Sequence, residues 1–175
     1  MAGIATRVTL DDSHVRALMQ KFARHAENMA PALESMGEYM LVQTDKRFTG
    51  EHDPEGKPWA PLKLRTIYGS HRGKKYTKKG QLTKRFATYV ARRKILTASG
   101  GLRGSIVYRV GRGHVVIGTN KIYGRVHQEG AEFSIVSRRA RIRIPARPYL
   151  GVNADDRREF AAIVKEHLLS GLDHA

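Results

Sequence analysis

The sequence predicts an α+β fold: a small antiparallel β-sheet of about four strands, flanked by two N-terminal helices and a C-terminal helix, with a long basic arm. Three observations carry this. Apolar residues alternate at period two between Ser105 and Gly151; they recur at helical spacing towards both ends of the chain; and no Asp or Glu stands between Glu55 and Glu129. At 175 residues the chain suits one domain spanning 1–175, with 63–94 as an extended basic arm or insertion.

Taken in order, residues 11–29 read as the first helix. Asp11, Asp12 and Ser13 supply cap and first-turn acids, and Val15, Leu18, Met19, Phe22, Ala26 and Met29 form one apolar stripe. Pro31 opens a second helix, whose stripe of Leu33, Met36, Met40, Leu41, Thr44 and Phe48 closes at Gly50. Pro54, Pro58, Pro61 and Gly56 exclude regular structure in the next stretch. The sole tryptophan, Trp59, sits there either as a plug onto the core or as an exposed anchor, and the plug is favoured because that side chain buries a large area.

Residues 63–94 lack strong periodicity, and Tyr68 and Tyr76 are interleaved with cations. A short helix is compatible with Leu82, Phe86, Tyr89, Val90 and Arg93. The basic interval suits a phosphate backbone or is a solvated loop, and the residues leave both readings open. Residues 99–104 suggest one helical turn ahead of the strands. A hairpin follows, Ser105–Val110 returning as His114–Gly118 through Gly111-Arg112-Gly113. Asn120 and Gly130 bracket a short helix with Ile122 and Val126 towards the sheet. A second strand pair, Phe133–Val136 and Arg141–Pro145, turns at Arg138-Arg139. Pro145 and Pro148 forbid a regular ladder beyond it. Asn153 caps a last helix whose stripe is Phe160, Ile163, Val164, His167, Leu168 and Leu172.

Lys and Arg number 32 against 16 Asp and Glu, a net charge of +16. Such a field calls for a negative neighbour: nucleic acid, an acidic protein face or, least favoured, an acidic membrane. Cysteine is absent, which removes disulfides and thiolate metal sites. No apolar run has the length of a membrane span or the pattern of a signal peptide, so a cytoplasmic setting is expected. Hydrolase elbows, P-loops, dinucleotide fingerprints and HExxH are all missing. His14 and His25 read as surface residues. His127 reads as a hydrogen-bonded structural histidine ahead of a metal ligand. Asp53, Glu55 and Lys57 superficially match a magnesium nuclease, but the surrounding prolines are a poor place to fix a metal.

Three segments carry a family resemblance. They are Phe48 with Gly56-Lys57-Pro58-Trp59-Ala60-Pro61-Leu62; Ile95 to Ile106 around Gly100-Gly101; and Val116 to Gly151. The third is the most specific, a YxxxHQxG helix at 123–130 followed by IPARPYLG at 144–151. Together they resemble the phage virion morphogenesis family, which includes Mu-type virion morphogenesis and P2-type tail completion proteins. The resemblance implies a non-catalytic virion structural protein at the head–tail junction, made in the host cytoplasm. It implies a ring, typically a hexamer, that acts as a tail terminator or neck connector. Such a ring caps the tail tube, meets the head–tail connector or stopper, and passes genomic double-stranded DNA through its lumen. No cofactor, metal or membrane is implied.

On this view Arg72, Lys74, Lys75, Lys78, Lys79, Lys84 and Arg85 face DNA or a partner. Trp59, Tyr123, His127, Arg147 and Tyr149 are structural or interfacial. Arg147, between two prolines, suits either an ion pair or carbonyl cap within the chain, or a contact between subunits. The competing class is a free basic nucleic-acid-binding protein. It lacks a convincing recognition helix for base readout.

Overall fold

The structure is a computed structural model that describes residues 13–70, 73–135 and 140–173. Asp11 and Asp12 as caps, His71, Arg72 of the arm, Val136, the Arg138-Arg139 turn and His174 lie outside the described residues.

The first two helices are α1 (Ser13–Glu27) and α2 (Ala30–Gly50), with Pro31 in the first turn of α2. The left-handed residue that ends α2 is Glu51 (φ 57°) rather than the expected Gly50, and its N–H bonds the Arg47 carbonyl. Its carboxylate is engaged as well, accepting the Ile95 N–H at 2.5 Å. The stripe of α2 is buried as expected at Met40, Thr44 and Phe48, and Arg47 lies within it. The stripe of α1 is only partly used. Leu18 and His25 are half-buried beside the last helix, whereas Val15 and Met19 remain 58% and 67% exposed.

Two short helices follow, α3 (Leu64–Ser70) and α4 (Lys84–Ala91). A 3₁₀ turn at Arg103–Ser105 then leads into β1 (Ile106–Gly111) and β2 (His114–Thr119). These two strands pair antiparallel, from Ile106 opposite Thr119 to Gly111 opposite His114. Next come α5 (Ile122–Glu129), β3 (Ala131–Ile135), β4 (Ala140–Ile144) and α6 (Ala154–Asp173). The α+β class and the four strands stand, but the strands form two separate antiparallel pairs instead of one sheet. The reason is visible at the ends. Helix α5 intervenes between the pairs, and beyond β4 the backbone bonds side chains of other elements rather than a fifth strand.

Two local expectations are corrected. The residue before α5 is Lys121, with no side-chain cap from Asn120; Thr119 Oγ1 accepts the Lys121 N–H at 3.1 Å instead. Ile122 does not face a sheet and is 93% exposed.

Helix α2 is the central beam, packed on the β1–β2 hairpin and on α6. The core at its C-terminal end joins Phe48, Trp59, Ile95, Leu102 and Tyr149. Phe48 meets Trp59 edge-on at 5.6 Å between ring centroids and Tyr149 at 5.3 Å. Such aromatic pairs add about 0.5–1.5 kcal/mol beyond the area they bury.

Candidate functional site

The most specific motif of the sequence builds an internal clamp. Between Pro145 and Gly151 the chain is extended and finds no strand partner, yet its backbone groups are taken up by side chains. Gln128 of α5 accepts the Tyr149 and Leu150 N–H groups on Oε1, both at 3.0 Å, and donates from Nε2 to the Leu150 carbonyl at 2.8 Å. One glutamine amide thus does what an adjacent strand would do. The Trp59 indole N–H donates to the Pro148 carbonyl at 2.8 Å, and the Arg147 N–H donates to the His127 carbonyl at 2.7 Å. Gly130 completes the clamp. Its φ is 78°, and a Cβ there would stand 2.8 Å from the Ala146 nitrogen.

Arg47 secures the far end of the segment. Its guanidinium donates to the carbonyls of Tyr149 (3.3 Å) and Gly151 (2.8 Å) and to Asp156 Oδ2 at 2.7 Å. Both members of this ion pair are buried. Asp156 also accepts the Asn153 N–H, while Asn153 Oδ1 accepts the Asp156 N–H, a reciprocal cap that starts α6 where Asn153 was expected to. Tyr39 donates to the same carboxylate at 3.1 Å. Burial, with that carboxylate nearby, pushes the Tyr39 phenol above its ordinary value.

Arg147 is also buried, yet among the described residues no carboxylate is within ion-pair distance. Its Nε caps the Ala60 carbonyl at 2.8 Å and its Nη2 the Pro61 carbonyl at 3.2 Å. Burial draws the guanidinium below its ordinary value. His127, half-buried beside it, is held below the ordinary histidine value by desolvation and then by the Arg147 charge. Its Nδ1 is buried without a hydrogen-bond partner, so the expected hydrogen-bonded histidine is bonded through its backbone and not through that ring nitrogen.

These two residues border a cavity of about 670 Å³ between the arm, α5 and β4. Lys63, Arg93, Lys94, Arg141, Arg143 and Arg147 contribute cations to it, and among the described residues no acid lines it. Leu62, Leu96, Leu102, Ile144 and Pro145 supply apolar surface, and Tyr123 stands at 44% exposure on α5 with its ring edge-on to His127.

The 63–94 interval contains a compact local unit. Tyr76, Tyr68, Phe86 and Tyr89 stack in succession, at 6.3, 5.3 and 6.2 Å between centroids, and Arg93 lies 5.5 Å over the Tyr89 ring. Thr83 closes it: the hydroxyl donates to the Lys74 carbonyl at 3.0 Å and accepts the Phe86 N–H at 3.3 Å, capping α4. Lys74, Lys78, Lys79, Lys84 and Arg85 project from this unit, exposed, and Lys75 is half-buried. Among the described residues none of these six cations forms an ion pair.

Of the five residues expected to be structural or interfacial, Trp59, Arg147 and Tyr149 are thus inside the fold, while Tyr123 and His127 border the cavity. Asp53 is committed to a turn, its Oδ1 accepting the Lys57 N–H at 2.8 Å. Among the described residues no three His, Asp or Glu side chains gather as a metal site would require. Nor is any helix there long and apolar enough to cross a membrane. Sequence reasoning missed Arg47, Gln128 and Asp156. The available signals were an arginine inside an apolar stripe and an Asn-x-x-Asp spacing at a helix start.

The model of the phage virion morphogenesis family fits residues 10–169. The chain belongs to the phage virion morphogenesis family. It is also similar to a protein of Escherichia phage Mu named "Putative capsid assembly protein G", 33% identical over 78 residues. That match covers 45% of this chain and 49% of the Mu protein, so the chain matches about half the length of that relative. No solved structure matches. Within this virion morphogenesis chain the YxxxHQxG and IPARPYLG segments are explained by the clamp: Gln128, Gly130, Arg147 and Tyr149 hold the fold together.

Proposed function

We propose that this chain is a structural protein of the phage head–tail junction, a tail terminator. In this role it forms a ring, of six copies on the family pattern, that closes the tail tube and joins it to the head connector. Genomic DNA passes through the lumen. The observation that carries the reading is the family match over residues 10–169. The surfaces are compatible with it. Val15, Met19, Val107, Val116 and Ile122 leave large apolar area uncovered, as a subunit of an assembly does. The exposed cations of the 63–94 unit tolerate phosphates nearby.

The test is loss of the gene, complemented from a plasmid. The tail terminator role requires filled heads and separate tails without the chain, and joined particles when it is supplied. Size-exclusion with light scattering checks the ring. Normal particles without the chain would remove the role. Deleting Gly69–Gly80 tests the arm separately: unchanged assembly, particle yield and DNA retention would detach it from any contact with a neighbour or with DNA.

The second reading, a free nucleic-acid-binding protein, is favoured by one observation, the unpaired lysines around the aromatic stack. Salt-dependent binding of duplex DNA by the isolated monomer would support it. The rings stack on one another with Phe86 fully buried, which leaves Tyr76, 45% exposed at the end of the stack, as the ring most open to an unpaired base.

A further inference from the structure

Arg147 and His127 border a cavity whose lining is both cationic and apolar. Where this chain buries Arg47 it supplies Asp156 as a counter-charge; where it buries Arg147, the described residues supply carbonyl dipoles from Ala60 and Pro61 and no carboxylate within ion-pair distance. A buried charge without a counter-ion is costly unless something compensates it. Arg93, Arg143 and Lys63 line the same cavity, with no acid in the lining among the described residues. The Arg93 Nε and the His127 Nδ1 are buried atoms without a hydrogen-bond partner. Six cationic side chains thus line one cavity, and among the described residues no acid joins them there.

The walls narrow the class of ligand. A site for phosphate alone has no use for Leu62, Leu96, Leu102, Ile144 and Pro145 beside the cations. The volume, about 670 Å³, is in the range of pockets that enclose a small molecule or a few side chains. Duplex DNA does not enter a space of that size, because even its major groove is about 12 Å wide. A stretch of polypeptide with an apolar anchor and flanking carboxylates satisfies both halves of the lining at once.

We propose that this cavity is the docking site for an acidic, extended segment of another virion protein. The segment sets an aliphatic or aromatic side chain against Leu96, Leu102 and Ile144 and its carboxylates on Arg93, Arg143 and Arg147. The inference rests on the assembly role above and adds to it the chemistry of the partner segment. It also gives a use to Tyr123, whose exposed ring forms part of the wall. Charge complementarity of this kind sets specificity and the rate of encounter.

The test places a photo-crosslinking residue, p-benzoylphenylalanine, at Thr66 on the cavity wall of the full chain, with the same residue at exposed Glu34 on α2 as control. The chain complements a gene-deleted phage, particles are irradiated, and the crosslinked peptide is identified by mass spectrometry. The expected adduct joins Thr66→p-benzoylphenylalanine to a segment of a different virion protein that carries carboxylates next to an apolar side chain. In the Arg93→Ser/Arg143→Ser background, with equal amounts of chain in the particles, its yield falls by about fivefold or more. Five results overturn the proposal: an adduct to DNA, to another copy of this chain or to a non-acidic segment, a yield no higher than at Glu34, or insensitivity to the arginine pair. Absence of the chain from finished particles removes the assembly role and the docking site together. Presence of the chain with an empty cavity removes only the docking site.

Discussion

Replacing Gln128 by alanine tests whether the clamp carries the 145–151 segment. The substitution deletes three hydrogen bonds at 2.8–3.0 Å and leaves two N–H groups and one carbonyl of Tyr149 and Leu150 without their partners. A net hydrogen bond contributes about 0.5–1.5 kcal/mol, and a buried group stranded without a partner costs about 1–3 kcal/mol. Tyr149 is 1% exposed, whereas Leu150 and Gln128 are half-buried, so water rescues some of these groups and the expected loss is about 3 kcal/mol. That is a large share of the 5–15 kcal/mol that stabilises an ordinary domain. Gln128→Glu keeps an acceptor for both N–H groups but points a carboxylate oxygen at the Leu150 carbonyl, and belongs between wild type and alanine. Urea unfolding followed through Trp59, the sole tryptophan, reads the change at the clamp itself. Measurements at several protein concentrations separate fold stability from assembly. A loss below about 1 kcal/mol with an unchanged m-value would refute the clamp, since three stranded groups would then have been satisfied elsewhere.

Arg47→Met strands the Asp156 carboxylate and two carbonyls and should cost about 3–5 kcal/mol; adding Asp156→Asn should recover part of it, measured as a coupling energy in a double-mutant cycle. His127 has a folded-state pKa below its ordinary 6.5, so the folded chain resists the proton that the unfolded chain accepts. Its contribution is present above about pH 6.5 and is lost as pH falls below it, and His127→Gln should flatten that part of a stability–pH curve. For the arm, Lys78→Ala/Lys79→Ala should leave the unfolding midpoint unchanged. If both lysines meet phosphates, it should also reduce the slope of log K against log salt for duplex DNA by about 1.8.

Local pattern was the legible part of this fold. The apolar stripe of α2, the Gly111–Gly113 turn and the Asn153 cap depend on neighbours within a few positions, and they stand where periodicity and turn chemistry put them. The prolines at 145 and 148 correctly implied that no ladder continues there. What replaces the ladder was not legible, because Gln128, Trp59 and Arg47 reach the segment from 22, 89 and 102 positions away. The cavity was hidden for the same reason: its walls come from residues 62–66, 93–102, 123–127 and 141–147. The α1 stripe shows the opposite failure. Its periodicity was read correctly as amphipathic, but Val15, Met19 and Phe22 of its apolar face stay exposed among the described residues. Amphipathicity predicts that a face is to be buried and says nothing about whose surface buries it.

The placement of charge separates the cations that hold the fold from those that do not. Buried cations are handled individually, Arg47 by Asp156 and Arg147 by two carbonyls, and each holds a loop against the core. The remaining ion pairs, such as Arg103 on Asp45 and Arg125 on Glu129, are exposed, where such pairs are worth at most about 1 kcal/mol. Among the described residues the exposed lysines of the 63–94 unit do not even have that, and they repel one another across a stretch without acids. A fold under selection for stability alone gains nothing from them. Neutralising the exposed lysines should therefore leave the fold intact or slightly firmer, whereas neutralising Arg47 or Arg147 should loosen it. The excess of the +16 charge is therefore no part of what holds the fold together.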